Sequence, residues 1–242
     1  MGNKNTTHLQ APESVDILKT IYETGDLSLD RYGFVRGNES DEKENDTEIE
    51  KKNIKEQDRE LKWFTITMNW DLYFGKPQFK RRLRKGIPES ARSVVWKKLL
   101  YGTTIQWRNK FPIPQLEHDS RSLPAIVVDE IEKDITRTYP HHILFRQSNS
   151  NGQQSLRRIL QWYAVVDPET GYCQAMSFIA AMLLIYMNED DAFYGLVSIM
   201  QRHQMPLREM YLPGLVNLQK CNHVFDCCGK LFLPGLWAKF ER

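Results

Sequence analysis

Cysteine is scarce: Cys173, Cys221, Cys227 and Cys228 all lie in the last third of the 242 residues and form no C-x-x-C pair. That scarcity excludes a disulfide framework and a thioredoxin-like site, and it predicts a reduced, cytoplasmic setting. The cluster CNHVFDCC places Cys221, His223, Cys227 and Cys228 close together. A zinc site normally shows two separated ligand pairs, so these read as thiols and a histidine on an amphipathic helix, and no metal is expected. No charge of one sign dominates, because 33 Lys and Arg stand against 31 Asp and Glu. Nucleic-acid binding is therefore not a default expectation. The basic run Lys80-Arg81-Arg82-Leu83-Arg84-Lys85 holds no base-stacking aromatic residue and reads as a solvated surface segment.

Long hydrophobic runs are missing too. Spanning a bilayer takes about 20 apolar residues, and the longest run, Ala175 to Met187 around Ser177, has only core-helix length. The N-terminus has no charged-then-apolar signal peptide, but Met1-Gly2-Asn3-Lys4-Asn5-Thr6 fits the M-G-x-x-x-[ST] pattern, which makes Gly2 a lipidation candidate. One acyl chain gives only marginal anchoring, so the matching expectation is peripheral membrane association. Neither G-x-x-x-x-G-K-[ST] nor G-x-G-x-x-G after a strand occurs, and no H-E-x-x-H or Ser/His/Asp order stands out. No cofactor of the chain's own is expected.

Residues 1–60 are mostly polar, and SDEKENDTEIEKKNIKEQDRE (40–60) carries dense charge of both signs. Such a stretch buries too little apolar surface to offset its ordering entropy, so 1–60 reads as a mostly disordered tail and linker. Within it, Val15 to Glu23 holds a short apolar periodicity, followed by Asp30-Arg31-Tyr32-Gly33-Phe34. From Leu61 aromatic and aliphatic residues crowd together, and a globular domain is expected over 61–242.

Helical periodicity recurs throughout that part, with no alternating strand pattern and no N-G hairpin signal. The spacing predicts an all-α domain. One helix is expected over Ile126 to Thr138, stopped by Pro140, with Val128, Ile131 and Ile135 inward. Arg137 then points outward, and Asp134 is placed to pair with it at i, i+3. After the turn Asp167-Pro168-Glu169-Thr170-Gly171, a helix is expected over Tyr172 to Met187, with Gln174 in its first turn. An exposed arginine with an acidic neighbour, and a glutamine on a rigid helix start, suit phosphoryl transfer to water when a partner supplies the nucleotide. The arginine neutralises charge on the phosphoryl oxygens, and the amide touches water and phosphate together.

Three stretches resemble, in order, the signature motifs of the TBC-domain family of Rab GTPase-activating proteins. They are Arg84-Lys85-Gly86-Ile87-Pro88-Glu89-Ser90-Ala91-Arg92 with Trp96, then Ile131-x-x-Asp134-x-x-Arg137-Thr138, then Gly171-Tyr172-Cys173-Gln174. The resemblance implies an all-helical fold of two subdomains. It also implies an arginine finger at Arg137 and a glutamine finger at Gln174, with Asp134, Tyr172, Gly171, Arg92 and Trp96 in supporting places. The implied partner is a GTP-bound Rab-family GTPase carrying its own Mg²⁺, and the implied setting is vesicle trafficking. Two departures stand out. The residue after the glutamine, usually glycine, is Ala175, whose methyl group is expected to crowd the approaching GTPase. The chain also stops soon after Leu233-Pro234-Gly235-Leu236-Trp237, so the second subdomain reads as truncated, with apolar helix faces left uncovered. A non-catalytic Rab-binding or scaffold protein and an inactive truncated fragment are the alternatives.

Overall fold

A computed structural model describes residues 29–30, 32–35, 46–201 and 207–240. Gly2 and the Val15 to Glu23 segment lie outside the described residues. The helices run in the order α1 (Asp46–Met68), α2 (Trp70–Tyr73), α3 (Pro77–Arg84), α4 (Glu89–Lys110), α5 (Ile113–Asp119) and α6 (Ala125–Ile135). After these come α7 (Asn151–Val166), α8 (Met176–Tyr186), α9 (Glu189–Met200), α10 (Val216–Phe232) and α11 (Pro234–Phe240). Short 3₁₀ turns cover Ser120–Ser122 and Arg208–Met210. Among the described residues the extended structure amounts to two isolated antiparallel bridges, Leu29 with Val35 and Phe34 with His142. No helix among them is long and apolar enough to cross a membrane.

Residues 46–60, which the charge pattern assigns to a linker, belong to α1. They contain no proline or glycine and are rich in Glu, Lys, Gln and Arg, all strong helix formers. Pairs one turn apart, Glu56 with Arg59 at 2.7 Å and Asp58 with Lys62, line the helix surface. Farther along, α1 docks through Trp63 and Ile66. These two join Phe79 of α3 and Val95 of α4 in a small satellite core. The Trp63 indole N–H donates to the Gly86 carbonyl at 3.2 Å, tying α1 to the turn before α4.

The main core lies among α4, α6, α7, α8 and α9, with α9 packed on α4, α7 and α8. Leu156, Ile159, Leu160 and Tyr163 of α7 recur at helical spacing and are wholly buried. Side chains of this size contribute about 1.5–3 kcal/mol each on burial. α7 starts at Ser150, whose hydroxyl accepts the Gln153 N–H, and α9 starts at Asn188, whose side chain accepts the Asp191 N–H at 2.9 Å. At the C-terminal side α10 and α11 pack on each other, with Gly229 tight against the Trp237 ring, where a Cβ would sit 2.2 Å from the indole. Their outer faces expose Phe225, Leu231, Phe232 and Phe240.

Candidate functional site

α6 ends at Ile135, three residues short of the sequence expectation. The reason is local. The Thr138 hydroxyl donates back to the Asp134 carbonyl at 2.7 Å and stands 2.8 Å from the Ser177 hydroxyl on α8, so the chain turns inward there. Arg137 therefore sits on a turn just past the helix, its N–H directed at the Asp134 carbonyl at 3.3 Å. It points outward as expected, with half of its side chain exposed, and its guanidinium pairs with Asp134 Oδ1. Asp134 is not on a solvent-facing side of α6. Its side chain is 2% exposed, and a buried carboxylate requires charged or hydrogen-bonding partners.

Those partners come from the segment before α8. The Tyr172 hydroxyl donates to Asp134 Oδ2, and the Ala175 N–H approaches the same oxygen at 3.4 Å. Burial, reinforced by the bond to Asp134, pushes the Tyr172 phenol well above its ordinary pKa. Gln174 lies between Tyr172 and Ala175 and is exposed. It occupies a turn, not the first turn of a helix, because α8 begins only at Met176. Ala175 is the cap residue and has a left-handed backbone with φ of 78°. This conformation lets the Cys173 and Ala175 carbonyls accept the Met176 and Phe178 N–H groups, each at 3.2 Å. The apolar run hides it, since nothing in side-chain hydrophobicity reports a positive φ.

The turn that leads to Gln174 is anchored at Asp167. Its carboxylate accepts from Tyr163 at 3.0 Å, from the Thr170 hydroxyl at 2.7 Å and from Arg208 at 2.6 and 2.8 Å. Burial opposes ionisation of Asp167, but these donors outweigh it and hold the pKa below the ordinary carboxylate value. Gly171 follows with φ of 59°, a left-handed position that glycine occupies freely, and donates to the Asp167 carbonyl at 2.7 Å. Asp167 with Thr170 three residues on is an Asx-turn signal readable in the sequence. Arg208 is separated from it by 41 residues and had no such signal.

Arg92 and Trp96 lie elsewhere. Arg92 donates to the Tyr186 hydroxyl at 2.6 Å and to the Ile87 carbonyl at 3.3 Å, and pairs with Glu89 at 2.6 Å. Trp96 meets the Tyr186 ring edge-on at 4.8 Å. Burial and the bond to Glu89 push the Tyr186 phenol up to about 12. Tyr186 ends α8, whereas Gln174 precedes its start, a separation of about 15 Å at the rise of an α-helix. The structure thus gathers Asp134, Arg137, Gly171, Tyr172 and Gln174 at one place and puts Arg92 and Trp96 in a packing role at the other end of α8.

A cleft reaching along α8 from Tyr139 and Phe178 to Trp96 has a volume of about 500 Å³ and apolar walls that also include Leu99 and Met182. It presents no charged group to a phosphate. Among the described residues no group of three or more His, Cys, Asp or Glu is placed to hold a metal ion. Cys227 Sγ and His223 Nε2 are 3.6 Å apart on exposed α10.

Residues 89–242 match the family model of the Rab-GTPase-TBC domain. The chain is 33% identical over 188 residues to the human "Ecotropic viral integration site 5 protein homolog", covering 77% of this chain and 22% of that protein. It is 37% identical over 189 residues to "Rab GTPase-activating protein tbc-11" of Caenorhabditis elegans, covering 78% of this chain and 20% of the relative. It therefore spans roughly a fifth of the length of these curated relatives. The fold is similar to the crystal structure of the Chlamydomonas flagellar RabGAP TBC domain, with a TM-score of 0.65 at 22% identity over 88% of this chain and 68% of that one. With the family model matching more than half of the residues, the chain belongs to the Rab-GTPase-TBC domain family.

Proposed function

We propose that this chain accelerates GTP hydrolysis by a Rab-family small GTPase in its GTP-bound form. Arg137 acts as an arginine finger and Gln174 as a glutamine finger, both supplied in trans. The observation that carries this reading is the double engagement of Asp134: Oδ1 pairs with Arg137, while Oδ2 takes the Tyr172 hydroxyl and the N–H that follows Gln174. One buried carboxylate thereby fixes the bases of two exposed side chains with the chemistry the reaction needs. The guanidinium neutralises charge developing on the transferred phosphoryl oxygens, and the amide accepts from the attacking water while donating to the phosphate. Nucleotide and Mg²⁺ come with the partner, in keeping with the absence of a phosphate-binding loop in the sequence. No nucleic acid takes part.

The working unit on this reading is the TBC domain, expected from the sequence over 61–242 after a 1–60 segment whose residues 46–60 belong to α1, and it acts in the cytoplasm in vesicle trafficking. Gly2 is the point at which a lipid would bring it to a membrane surface. The test is single-turnover GTP hydrolysis by a panel of Rab proteins with the unaltered chain, Arg137→Ala and Gln174→Ala. The unaltered chain should stimulate at least one Rab, and Arg137→Ala should lose roughly 10³-fold or more of that stimulation. Equal stimulation by all three proteins would overturn the mechanism.

A further inference from the structure

Leu29, Asp30 and Tyr32 to Val35 belong to a small turn that packs on residues remote from it in sequence. Asp30 organises it, its Oδ1 accepting the Tyr32 and Phe34 N–H groups at 2.8 and 2.9 Å, while Leu29 and Val35 pair across the turn. Gly33 has φ of 90°. The far side of the turn pairs antiparallel with the segment after α6: the Val35 N–H donates to the His141 carbonyl at 3.0 Å, and the Ile143 N–H to the Gly33 carbonyl at 2.9 Å. The Tyr32 ring stacks on the Arg92 guanidinium with 5.6 Å to the centroid.

His142 is the pin of this junction. It is buried, with Nδ1 3.2 Å from the Leu144 N–H and Nε2 2.9 Å from the Tyr32 carbonyl. A backbone N–H only donates, so Nδ1 accepts, and the ring proton sits on Nε2 and donates to Tyr32. A Cβ on Gly33 would stand 2.8 Å from that Nε2, so the approach tolerates only glycine. Phe34 lies edge-on to His142 at 4.9 Å and to Tyr139 at 5.8 Å.

Tyr139 follows Arg137 by two residues and has φ of 45°. A tyrosine in the left-handed region persists only where its surroundings hold it. Two rings hold it edge-on, Phe178 of α8 at 5.3 Å and Phe34 at 5.8 Å. We propose that Tyr32, Gly33 and Phe34 form a positioning strap, which clamps the turn after α6 against α8 and so fixes the direction in which Arg137 leaves the surface. The proposal rests on the reading of Arg137 as the arginine finger. Tyr32, Gly33 and Phe34 act through the turn and touch no reacting atom, and they precede the region matched by the family model.

The test uses the full chain carrying Phe34→Ala or Gly33→Ala, with Phe34→Tyr as the conservative variant. Two quantities are measured: kcat and KM for stimulated GTP hydrolysis, and amide hydrogen exchange over residues 136–143 and over α7. Misplacing one finger costs roughly tenfold to a hundredfold in rate, the scale set by small displacements of catalytic groups. Expected are that loss in kcat for the first two variants with KM within about twofold, faster exchange over 136–143, unchanged exchange in α7, and recovery in Phe34→Tyr. Unchanged kcat in Phe34→Ala, beside an active unaltered chain, overturns the strap alone. Faster exchange throughout α7 overturns it as well, because the segment then serves general stability. If the unaltered chain stimulates no GTPase, the functional reading falls and the strap's catalytic role falls with it.

Discussion

Asp134 and Tyr172, 38 residues apart in sequence, share a buried hydrogen bond directly beneath the exposed Arg137 guanidinium. Replacing Tyr172 by Phe leaves Asp134 Oδ2 with only the long approach of the Ala175 N–H. Losing a buried bond to a charged acceptor costs about 1–3 kcal/mol. Urea unfolding of Tyr172→Phe should show a lower midpoint with an unchanged slope. An unmoved midpoint would mean that the bond contributes nothing net.

Ala175 provides a test with the opposite sign. A residue with a side chain pays about 1–2 kcal/mol in the left-handed region, and glycine gives back roughly 0.4–1 kcal/mol through the entropy of its unfolded chain. Ala175→Gly should therefore stabilise the protein by about 0.5–1 kcal/mol, and Ala175→Val should destabilise it. Thermal denaturation of the three proteins side by side gives the order. If the glycine variant melts lower than the parent, φ at this position is not strained.

Arg208 anchors the turn before Gln174 by its fork on Asp167. Arg208→Ala leaves a buried carboxylate with the Tyr163 and Thr170 donors but no countercharge, a loss of about 3 kcal/mol where such a pair is well buried. Arg208 is itself 23% exposed, so about 2 kcal/mol is the expected size. The loosening should be regional, with faster hydrogen exchange over residues 167–175. Exchange that stays at parental rates there would show that Thr170 and Gly171 hold the turn unaided.

His142 gives stability a pH dependence of definite sign. Burial lowers its pKa below the usual value, against the opposing effects of its bond to Tyr32 and of the nearby Asp30 charge. Phe34 and Phe145 supply the rings against it. Below about pH 6.5 the unfolded chain takes up a proton that the folded chain resists. Stability from this group is therefore complete above that pH and declines as pH falls toward the lowered folded value. His142→Gln should be less stable than the parent at pH 7.5 and should lose less between pH 7 and pH 5. Parallel curves for the two proteins would remove His142 as the source.

Periodicity made α7 legible because its buried residues recur every three or four positions and a polar cap precedes it, whereas α9 is buried without a break from Ala192 to Ser198. The i, i+3 relation of Asp134 and Arg137 was legible for the same reason. What periodicity could not show is that Asp134 is buried, since its partners Tyr172 and Ala175 arrive from another segment. The helix ends were misplaced around both Arg137 and Gln174. A back-bonding Thr138 and a left-handed Ala175 each stop or delay a helix without changing the apolar pattern. The strap was out of reach as well, because Asp30 to Phe34 looks like part of a polar tail until His142, 110 residues beyond Tyr32, is brought beside it.

Thr138 and Ser177 are wholly buried, and their hydroxyls are 2.8 Å apart. One belongs to the turn bearing Arg137 and the other to the first turn of the helix that follows Gln174, so this contact acts as a common pivot. Swinging either turn alone breaks that bond. A partner docking here would meet Arg137 and Gln174 on turns already tied to each other. Only the outer rotations of each side chain are left to be frozen, at about 0.5–1.5 kcal/mol apiece.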